Sequence, residues 1–156
     1  MKVGIICSPG GHLEQALAIL EAFKDCKVFI VTYDFPTLKG FEHLGVDRFY
    51  YLRYFGDSVT EVFLTLLVSC FSYIKIFLNE KPQAIFSTGS EIAIPAFYIG
   101  KFIFGIKLIY LETIVRTIYP TVAAKFLYWT SDLFLVQWES LLSKFGNKAR
   151  YAGRIL

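Results

Sequence analysis

Residues 3–32 read VGIICSPGGHLEQALAILEAFKDCKVFIVT, and this stretch decides the fold. Val3–Cys7 is a short apolar run typical of a buried strand, and it stops at a turn of proline and glycine. From His12 to Phe23 the apolar residues recur at helical spacing. Val28–Thr32 is a second, β-branched run. Strand, helix and strand in this order predict a βαβ unit and therefore a parallel sheet.

The alternation of strand-like and helix-like segments continues through the chain without a linker or a repeat. We therefore predict an α/β fold: a single Rossmann-like, doubly wound parallel sheet in one domain over residues 1–156, with helices on both faces. In such a sheet, ligands bind beyond the carboxyl ends of the strands. Further strands are predicted at Arg48–Leu52, Ala84–Ser87, Lys107–Leu111 and Leu133–Val136. Helices are predicted from Ser58, from the end of the Thr88-Gly89-Ser90 turn to Phe104, from Pro120 to Trp129 and from Glu139 to Phe145.

The composition is unusually apolar for a chain of this length. Apolar residues make up 55% and charged residues 19%, where about 25% charged is typical. A 156-residue domain cannot hide this much apolar surface, so we expect the excess to meet a membrane, a partner or both.

Charge and cysteine content narrow the class of protein. The net charge of +3 is too small to indicate nucleic-acid binding. It is concentrated in residues 81–156, which carry 9 Lys/Arg and 4 Asp/Glu; this basic half suits an anionic surface, a diphosphate or an acidic subunit, or is simply a solvated face. Cys7, Cys26 and Cys70 have no metal or redox spacing, so we expect core residues in a reducing compartment.

One helix is apolar around most of its circumference. Ser58 and Glu61 form a capping box at its start, and its polar residues make one narrow stripe. The uncharged stretch Val62–Ile74 would span roughly 20 Å, less than the ~30 Å of a bilayer core, so we expect no crossing. The helix is either wholly buried or has a second apolar surface that something covers. The stripe consists of Thr65, Ser69, Ser72, Lys75 and Asn79.

Polar residues follow the first predicted strand at the ligand edge. Gly10 and Gly11 allow close backbone approach to a ligand, and the N-terminus of the following helix favours an anion. A plain tight turn explains the glycines equally well. His12 lies in the first helical turn, where the helix dipole favours the neutral imidazole that a general base requires. His12 is either such a base or a hydrogen-bonded turn residue.

Two further strand ends carry polar side chains. Thr88-Gly89-Ser90 could bind a sugar hydroxyl or a phosphate, although Glu91 opposes an anion and fits simple capping of a helix. Glu112 follows an apolar strand directly, and Arg116 is near enough in sequence to pair with it. Those two residues form either a structural ion pair or a ligand-binding pair, and their place at the edge of the sheet favours the second.

Several segments together resemble a known family in order and spacing. Gly10-Gly11-His12-Leu13 and Ser87-Thr88-Gly89 are followed by Ile109–Thr113 with Arg116, by Ser131–Trp138 and by Tyr151–Leu156. This set resembles the asparagine-linked glycosylation protein 14 family, which includes PssD/CpsF-type prokaryotic polysaccharide proteins. The family supplies the acceptor-side subunit of a UDP-N-acetylglucosamine transferase that acts on a dolichol-diphosphate-linked sugar.

The resemblance implies half of a split GT-B glycosyltransferase, equivalent to its N-terminal half. The glycine loop and the Thr88-Gly89-Ser90 turn, with Glu112 and Arg116, would then face the acceptor diphosphate, and His12 would be the catalytic base. A partner similar to asparagine-linked glycosylation protein 13 would hold the UDP-sugar and dock on Arg154, Ile155 and Leu156. The resemblance implies no metal and no cofactor, and it implies peripheral attachment to the cytoplasmic face of a membrane through surface helices such as Val62–Leu78.

Two other functions compete with this interpretation. A non-catalytic membrane scaffold would recruit an enzyme without needing His12 or Glu112. A free-standing nucleotide-binding enzyme is disfavoured because the third glycine of the dinucleotide fingerprint is missing.

Overall fold

The structure is a computed structural model that describes residues 1–35 and 45–155. Its centre is a seven-stranded sheet in the order β3-β2-β1-β4-β5-β6-β7, in which every neighbouring pair is parallel. The predicted Rossmann-like sheet is confirmed. The strands are β1 Lys2–Ile6, β2 Lys27–Tyr33, β3 Arg48–Leu52, β4 Ala84–Ser87, β5 Lys107–Leu111, β6 Leu133–Val136 and β7 Ala149–Tyr151; the helices are α1 Gly11–Ala18, α2 Val59–Glu80, α3 Ala93–Phe102 and α4 Val122–Thr130.

Helices cover both faces of the sheet. On one face, α1 places Leu13 and Ala16 against Ile5 and Ile30 of the central strands. On the other face, α2, α3 and α4 lie side by side over a core that includes Phe77, Phe97 and Leu127. The doubly wound arrangement predicted from the alternation of strands and helices is therefore confirmed.

Element ends differ from the predictions where the helices are short. The first predicted helix stops at Ala18 and continues as a 3₁₀ turn over Leu20–Phe23, and the predicted helix near Glu139 is also 3₁₀, Glu139–Lys144. Short helical ends often tighten in this way. The three-residue strand β7 was not predicted, since its residues are exposed or half-buried and give no apolar run.

Helix α2 begins at the predicted capping box. The Ser58 hydroxyl accepts from the Glu61 N–H, and the Glu61 carboxylate accepts from the Ser58 N–H at 3.1 Å. Within the polar stripe, Thr65 and Ser69 face inward and are buried. The Thr65 hydroxyl donates to the Glu61 carbonyl at 2.8 Å, so its burial leaves no unpaired donor.

The length argument against α2 as a membrane-crossing helix is wrong. The uncharged stretch Val62–Ile74 is only part of the helix, which has 22 residues. Within the described ranges, it alone has the length and composition to cross a bilayer. Length and composition do not separate a spanning helix from one packed on a domain. Tyr73 and Phe77 are fully buried against the rest of the fold, while Phe63 and Phe71 on the outer side are 67% and 72% exposed. One side of the helix therefore belongs to the core, and the other is an uncovered apolar surface.

Candidate functional site

A cleft opens where the strand order reverses. Strand β1 lies between β2 and β4, so the chains leaving β1 and β4 diverge to opposite sides of the sheet and leave a crevice at the carboxyl ends. The cleft has a volume of about 470 Å³. It is lined by Ser8, Pro9, Gly10, His12, Tyr33, Phe35, Tyr54, Asp57, Ser90 and Glu91.

The glycine loop leaves open space at the mouth of α1. Gly10 adopts φ +79°, a backbone conformation that favours glycine. The φ of Gly11 lies outside that range. A side chain at either position would meet no atom within 4 Å. The N–H groups of the first turn of α1 have no intrahelical partners and lie beside this space. The loop can therefore admit a ligand close to its backbone.

His12 in α1 and the buried Thr88 after β4 exchange two hydrogen bonds at the base of the cleft wall. The His12 ring nitrogen Nδ1 lies 2.8 Å from the Thr88 carbonyl oxygen, and the Thr88 hydroxyl donates to the His12 carbonyl at 2.7 Å. A carbonyl only accepts, so Nδ1 carries a proton, and in the neutral ring the free lone pair is then on Nε2. The imidazole is thereby held in the tautomer of a general base.

Gly89 allows the imidazole to take this position. A Cβ at Gly89 would lie 3.0 Å from His12 Cε1 and 3.3 Å from Nδ1, and φ at Gly89 is +111°. Any larger residue here would crowd the ring. The β4–α3 turn thus positions His12 through both its backbone and its lack of a side chain.

Glu112 and Arg116 do not join this cleft. The Glu112 side chain is fully buried and accepts from the Thr113 N–H at 3.0 Å and the Thr121 N–H at 3.2 Å. Burial raises the pKa of Glu112, and these bonds oppose the rise. Arg116 is exposed and forms no ion pair with the residues that the structure describes. The expected pairing of the two is wrong. Of the two roles left open for Glu112, the structure favours the structural one, since its carboxylate anchors Thr121 before α4.

A buried amide network joins the glycine loop to the end of the chain. Gln15 Nε2 donates to the Gly11 carbonyl at 3.0 Å, and Gln15 Oε1 accepts from Gln137 Nε2 at 2.9 Å. Gln137 Oε1 in turn accepts from the Ile155 N–H at 3.0 Å. Both glutamine side chains are buried. The two side chains therefore link Gly11 to Ile155 directly.

The last described residues lie against Trp138. The Arg154 guanidinium sits 3.9 Å above the centre of the Trp138 ring, and Trp138 Nε1 donates to the Ile114 carbonyl at 2.6 Å. Cation–π contact and the network at Ile155 hold this segment on the domain. Leu156, the third expected partner-binding residue, lies outside the described residues.

Residues 3–155 match the family described as "Oligosaccharide biosynthesis protein Alg14 like". The chain belongs to this family. It is 33% identical to the UDP-N-acetylglucosamine transferase subunit ALG14 of Rattus norvegicus, over 97% of the chain and 82% of the rat protein. It is 25% identical to the human subunit of the same name, over 100% of the chain and 83% of that protein. The resemblance noted in the sequence is confirmed.

Solved structures of related fold are about twice as long as this Alg14 family member. MurG of Acinetobacter baumannii superimposes with a TM-score of 0.75 and 17% identity, over 97% of this chain and 46% of MurG. The UDP-GlcNAc 2-epimerase of Methanocaldococcus jannaschii, in complex with UDP-GlcNAc and UDP, superimposes with a TM-score of 0.72 and 16% identity, over 99% of this chain and 47% of the epimerase. At such identities the likeness shows the fold alone. It confirms the fold predicted for half of a GT-B enzyme.

Sequence reasoning missed the roles of Gln15 and Gln137. Gln137 directly follows an apolar strand at the ligand edge, which is the signal that drew attention to Glu112. Gln15 lies one helical turn after Gly11, a spacing that suits a bond to its carbonyl. Over residues 1–35 and 45–155, no group of three or more His, Cys, Asp or Glu side chains could hold a metal ion.

Proposed function

We propose that this Alg14 family protein is the acceptor-binding, membrane-associated subunit of a two-subunit glycosyltransferase. The reaction moves a sugar, N-acetylglucosamine by analogy with the named relatives, from a UDP-sugar to a polyprenyl- or dolichyl-diphosphate-linked sugar. The observation that carries the proposal is His12, held in its base tautomer at the strand-order reversal and next to an open glycine loop. No cofactor is required for this chemistry.

In the proposed reaction, His12 Nε2 accepts the proton of the acceptor sugar hydroxyl. The hydroxyl oxygen forms a bond to the anomeric carbon of the donor sugar while the bond from that carbon to UDP breaks. UDP leaves with the electron pair, and the anomeric configuration inverts. The role of Thr88 is to keep the proton on Nδ1, so that Nε2 is available at each turnover.

The acceptor diphosphate is assigned to the Gly10-Gly11 side of His12. There the unpaired N–H groups and the positive end of α1 favour an anion. The Thr88-Gly89-Ser90 turn suits it less well, because the Thr88 hydroxyl already bonds to His12 and the Ser90 hydroxyl donates to Glu91 at 2.8 Å. Glu112 is assigned a structural role, because its carboxylate accepts from Thr121 before α4, and Arg116 is assigned no role in the reaction.

The donor sugar nucleotide is assigned to a separate subunit, similar to asparagine-linked glycosylation protein 13. This chain spans about half of the solved structures that it resembles. On the α1 face, Ile109, Leu133 and Leu135 are only half-buried, next to the segment that carries Arg154 and Ile155. Such an incompletely covered apolar strip beside a cationic tail suits a docking surface. Leu156 would extend it.

The membrane is assigned to the opposite side of the sheet, at the cytoplasmic surface. Helix α2 packs on α3 and α3 on α4, so their outer residues form one layer. Large apolar side chains project from it, including Phe63, Phe71, Phe102 and Trp129, each at least 67% exposed. Lys125 lies one turn before Trp129 and would meet anionic headgroups. This layer of α2, α3 and α4 is called the apolar face below.

Reconstitution with the donor subunit tests the proposal. His12→Ala is expected to lower turnover by about 10²–10⁴-fold, the usual contribution of a general base, while the pair still forms. Deletion of residues 154–156 is expected to weaken pair formation. It also removes the Ile155 N–H that donates to the buried Gln137 Oε1, so the free energy of unfolding should fall, and thermal unfolding of the variant is measured beside pair formation. If the chain is only a scaffold, His12→Ala should leave the transfer rate of the pair unchanged. Such a result would show that this chain supplies no catalytic group at His12. Sugar transfer by the chain without any partner would contradict the split-enzyme proposal.

A further inference from the structure

One wall of the cleft is aromatic and acidic rather than cationic. It is built from the end of β2, the segment before α2 and the start of the helical turn after β4. The wall consists of Tyr33, Phe35, Tyr54, Asp57 and Glu91, and it is called the aromatic–acidic wall below. No lysine or arginine is among the described residues that line the cleft.

This charge pattern argues against a diphosphate at the wall. Two carboxylates, Asp57 and Glu91, would repel its negative charges, and no cation among the described lining residues would offset them. A neutral, hydroxyl-rich group meets no such penalty. Its hydroxyls can donate charge-assisted hydrogen bonds to both carboxylates.

The Tyr33 hydroxyl points to a ligand at the same place. Tyr33 is 2% exposed, and its hydroxyl has no hydrogen-bond partner among the described residues. Buried polar groups are nearly always paired, so an unpaired hydroxyl that lines a cleft indicates a missing partner. Burial raises the pKa of Tyr33, and the nearby Glu91 carboxylate raises it further through its charge and a loose contact with the hydroxyl, although that contact falls short of normal hydrogen-bond geometry.

The aromatic rings supply an apolar surface next to these polar groups. The ring centres of Tyr33 and Tyr54 lie 5.0 Å apart and those of Phe35 and Tyr54 5.7 Å apart, so the three form one cluster. The Tyr54 hydroxyl bonds to Asp57 and fixes that carboxylate at the edge of the cluster. Aromatic surface combined with a few placed acceptors is how clefts hold amphipathic ligands such as sugar rings.

We propose that the aromatic–acidic wall is the subsite for the acceptor's sugar ring, and that it excludes the acceptor's diphosphate. The inference rests on the proposed function and refines it, by dividing the cleft at His12. The sugar ring lies on the Tyr33–Glu91 side and the diphosphate on the Gly10-Gly11 side. The reacting hydroxyl belongs to the sugar, so this order places it beside the His12 imidazole that takes its proton.

The sign of the Glu91→Gln effect tests the proposal. In the reconstituted pair, a sugar at the wall loses a charged acceptor, so KM for the lipid-linked acceptor rises by about tenfold. KM for the UDP-sugar stays constant. A diphosphate at the wall would instead lose a repulsion, and the KM for the acceptor would fall. Glu139→Gln, in the 3₁₀ segment outside the cleft, is the matched control. A fall in KM, or no change, overturns the proposal.

Tyr33→Phe provides a second variant that keeps the shape of the wall. We expect it to raise the acceptor KM several-fold, through loss of one hydrogen bond. Because the Tyr33 hydroxyl makes no hydrogen bond of normal geometry with the described residues, the unfolding midpoint should not fall. Tyr73→Phe is the contrasting control, since the Tyr73 hydroxyl donates to the Ile92 carbonyl at 2.9 Å and its loss should lower the midpoint. An unchanged acceptor KM for Tyr33→Phe would count against the subsite.

Binding without turnover separates this inference from the proposed function. The full chain in detergent is titrated with free N-acetylglucosamine, used as a neutral hexose probe for the acceptor's sugar ring, or with inorganic diphosphate, and amide NMR signals are followed. The sugar should shift the signals of Tyr33 and Glu91, and diphosphate should shift those of Gly10 and Gly11. Sugar shifts at the wall without catalysis by the pair would sink the proposed function only. Diphosphate shifts at Tyr33 and Glu91, or no sugar shifts there, would sink the subsite only.

Discussion

Gln137 donates a hydrogen bond from Nε2 to Gln15 Oε1 at 2.9 Å, joining two buried side chains that are 122 residues apart in the sequence. Gln15 also bonds to the Gly11 carbonyl, and Gln137 to the Ile155 N–H. The proposed partner-docking tail and the proposed anion loop are therefore attached to the same pair of amides. A substitution of either glutamine should therefore alter both the Gly10-Gly11 loop and the segment that carries Ile155.

We expect Gln137→Leu to destabilise the fold and to weaken assembly with the donor subunit. The change leaves the Ile155 N–H without its acceptor, at a cost of about 1–3 kcal/mol, and removes one of the two donors to Gln15 Oε1, which keeps its bond from the Ile114 N–H. Denaturant unfolding and the affinity of the pair measure the two effects. Gln83→Leu is the control, since Gln83 is exposed at the amino-terminal edge of the sheet. Equal effects from the two variants would contradict the role of the network.

We expect Gly89→Ala to displace the His12 imidazole. The new methyl group would lie 3.0 Å from His12 Cε1, and the backbone at φ +111° is strained for alanine. Strain alone costs of the order of 1–3 kcal/mol. Gly105→Ala isolates that cost, because Gly105 has φ +64° but open space around it. Both variants should lose stability, and only Gly89→Ala should also lower kcat of the pair. Equal kcat values would show that the ring does not depend on Gly89.

Patterns within a few residues predicted the strands and helices, but they could not predict contacts between residues that are distant in the sequence. The capping box of Ser58 and Glu61 and the apolar strands were found because their signals lie within a few residues. The Gln15–Gln137 bond has no local signature. The inward position of Thr65 was also invisible, since a hydroxyl bonded to a helix carbonyl is satisfied without water. For the site, the sequence identified the loop and His12 but not the wall opposite, which comes from three separate segments.

Glu112 should make stability depend on pH. Burial raises its pKa in the folded state, so the native protein holds the proton over a pH range where the unfolded chain, with a pKa of about 4.3, has lost it. In this range the unfolded state binds fewer protons than the native state, so unfolding releases protons, and the free energy of unfolding falls as pH rises from that value through the raised pKa. Glu112→Gln does not titrate. The difference in unfolding free energy, wild type minus variant, should therefore decline as pH rises across this window, and a flat difference would contradict the shift.

The apolar face gives the test of membrane attachment. Phe63 and Phe71 are 67% and 72% exposed on the outer side of α2, so changing both to serine removes little from the core. Burying a phenylalanine in an apolar phase contributes about 1.5–3 kcal/mol, and partial immersion of two rings should therefore account for about 10–100-fold in vesicle affinity. The measurement is co-sedimentation with vesicles of zwitterionic and anionic phospholipid, beside thermal unfolding of the same variants. Leu142→Ser with Tyr151→Ser is the matched control, because both side chains are 37% exposed yet lie outside the apolar face. If the α2 variant bound as tightly as the control, the membrane would have to meet another part of the protein, and the uncovered side of α2 would need a protein partner instead.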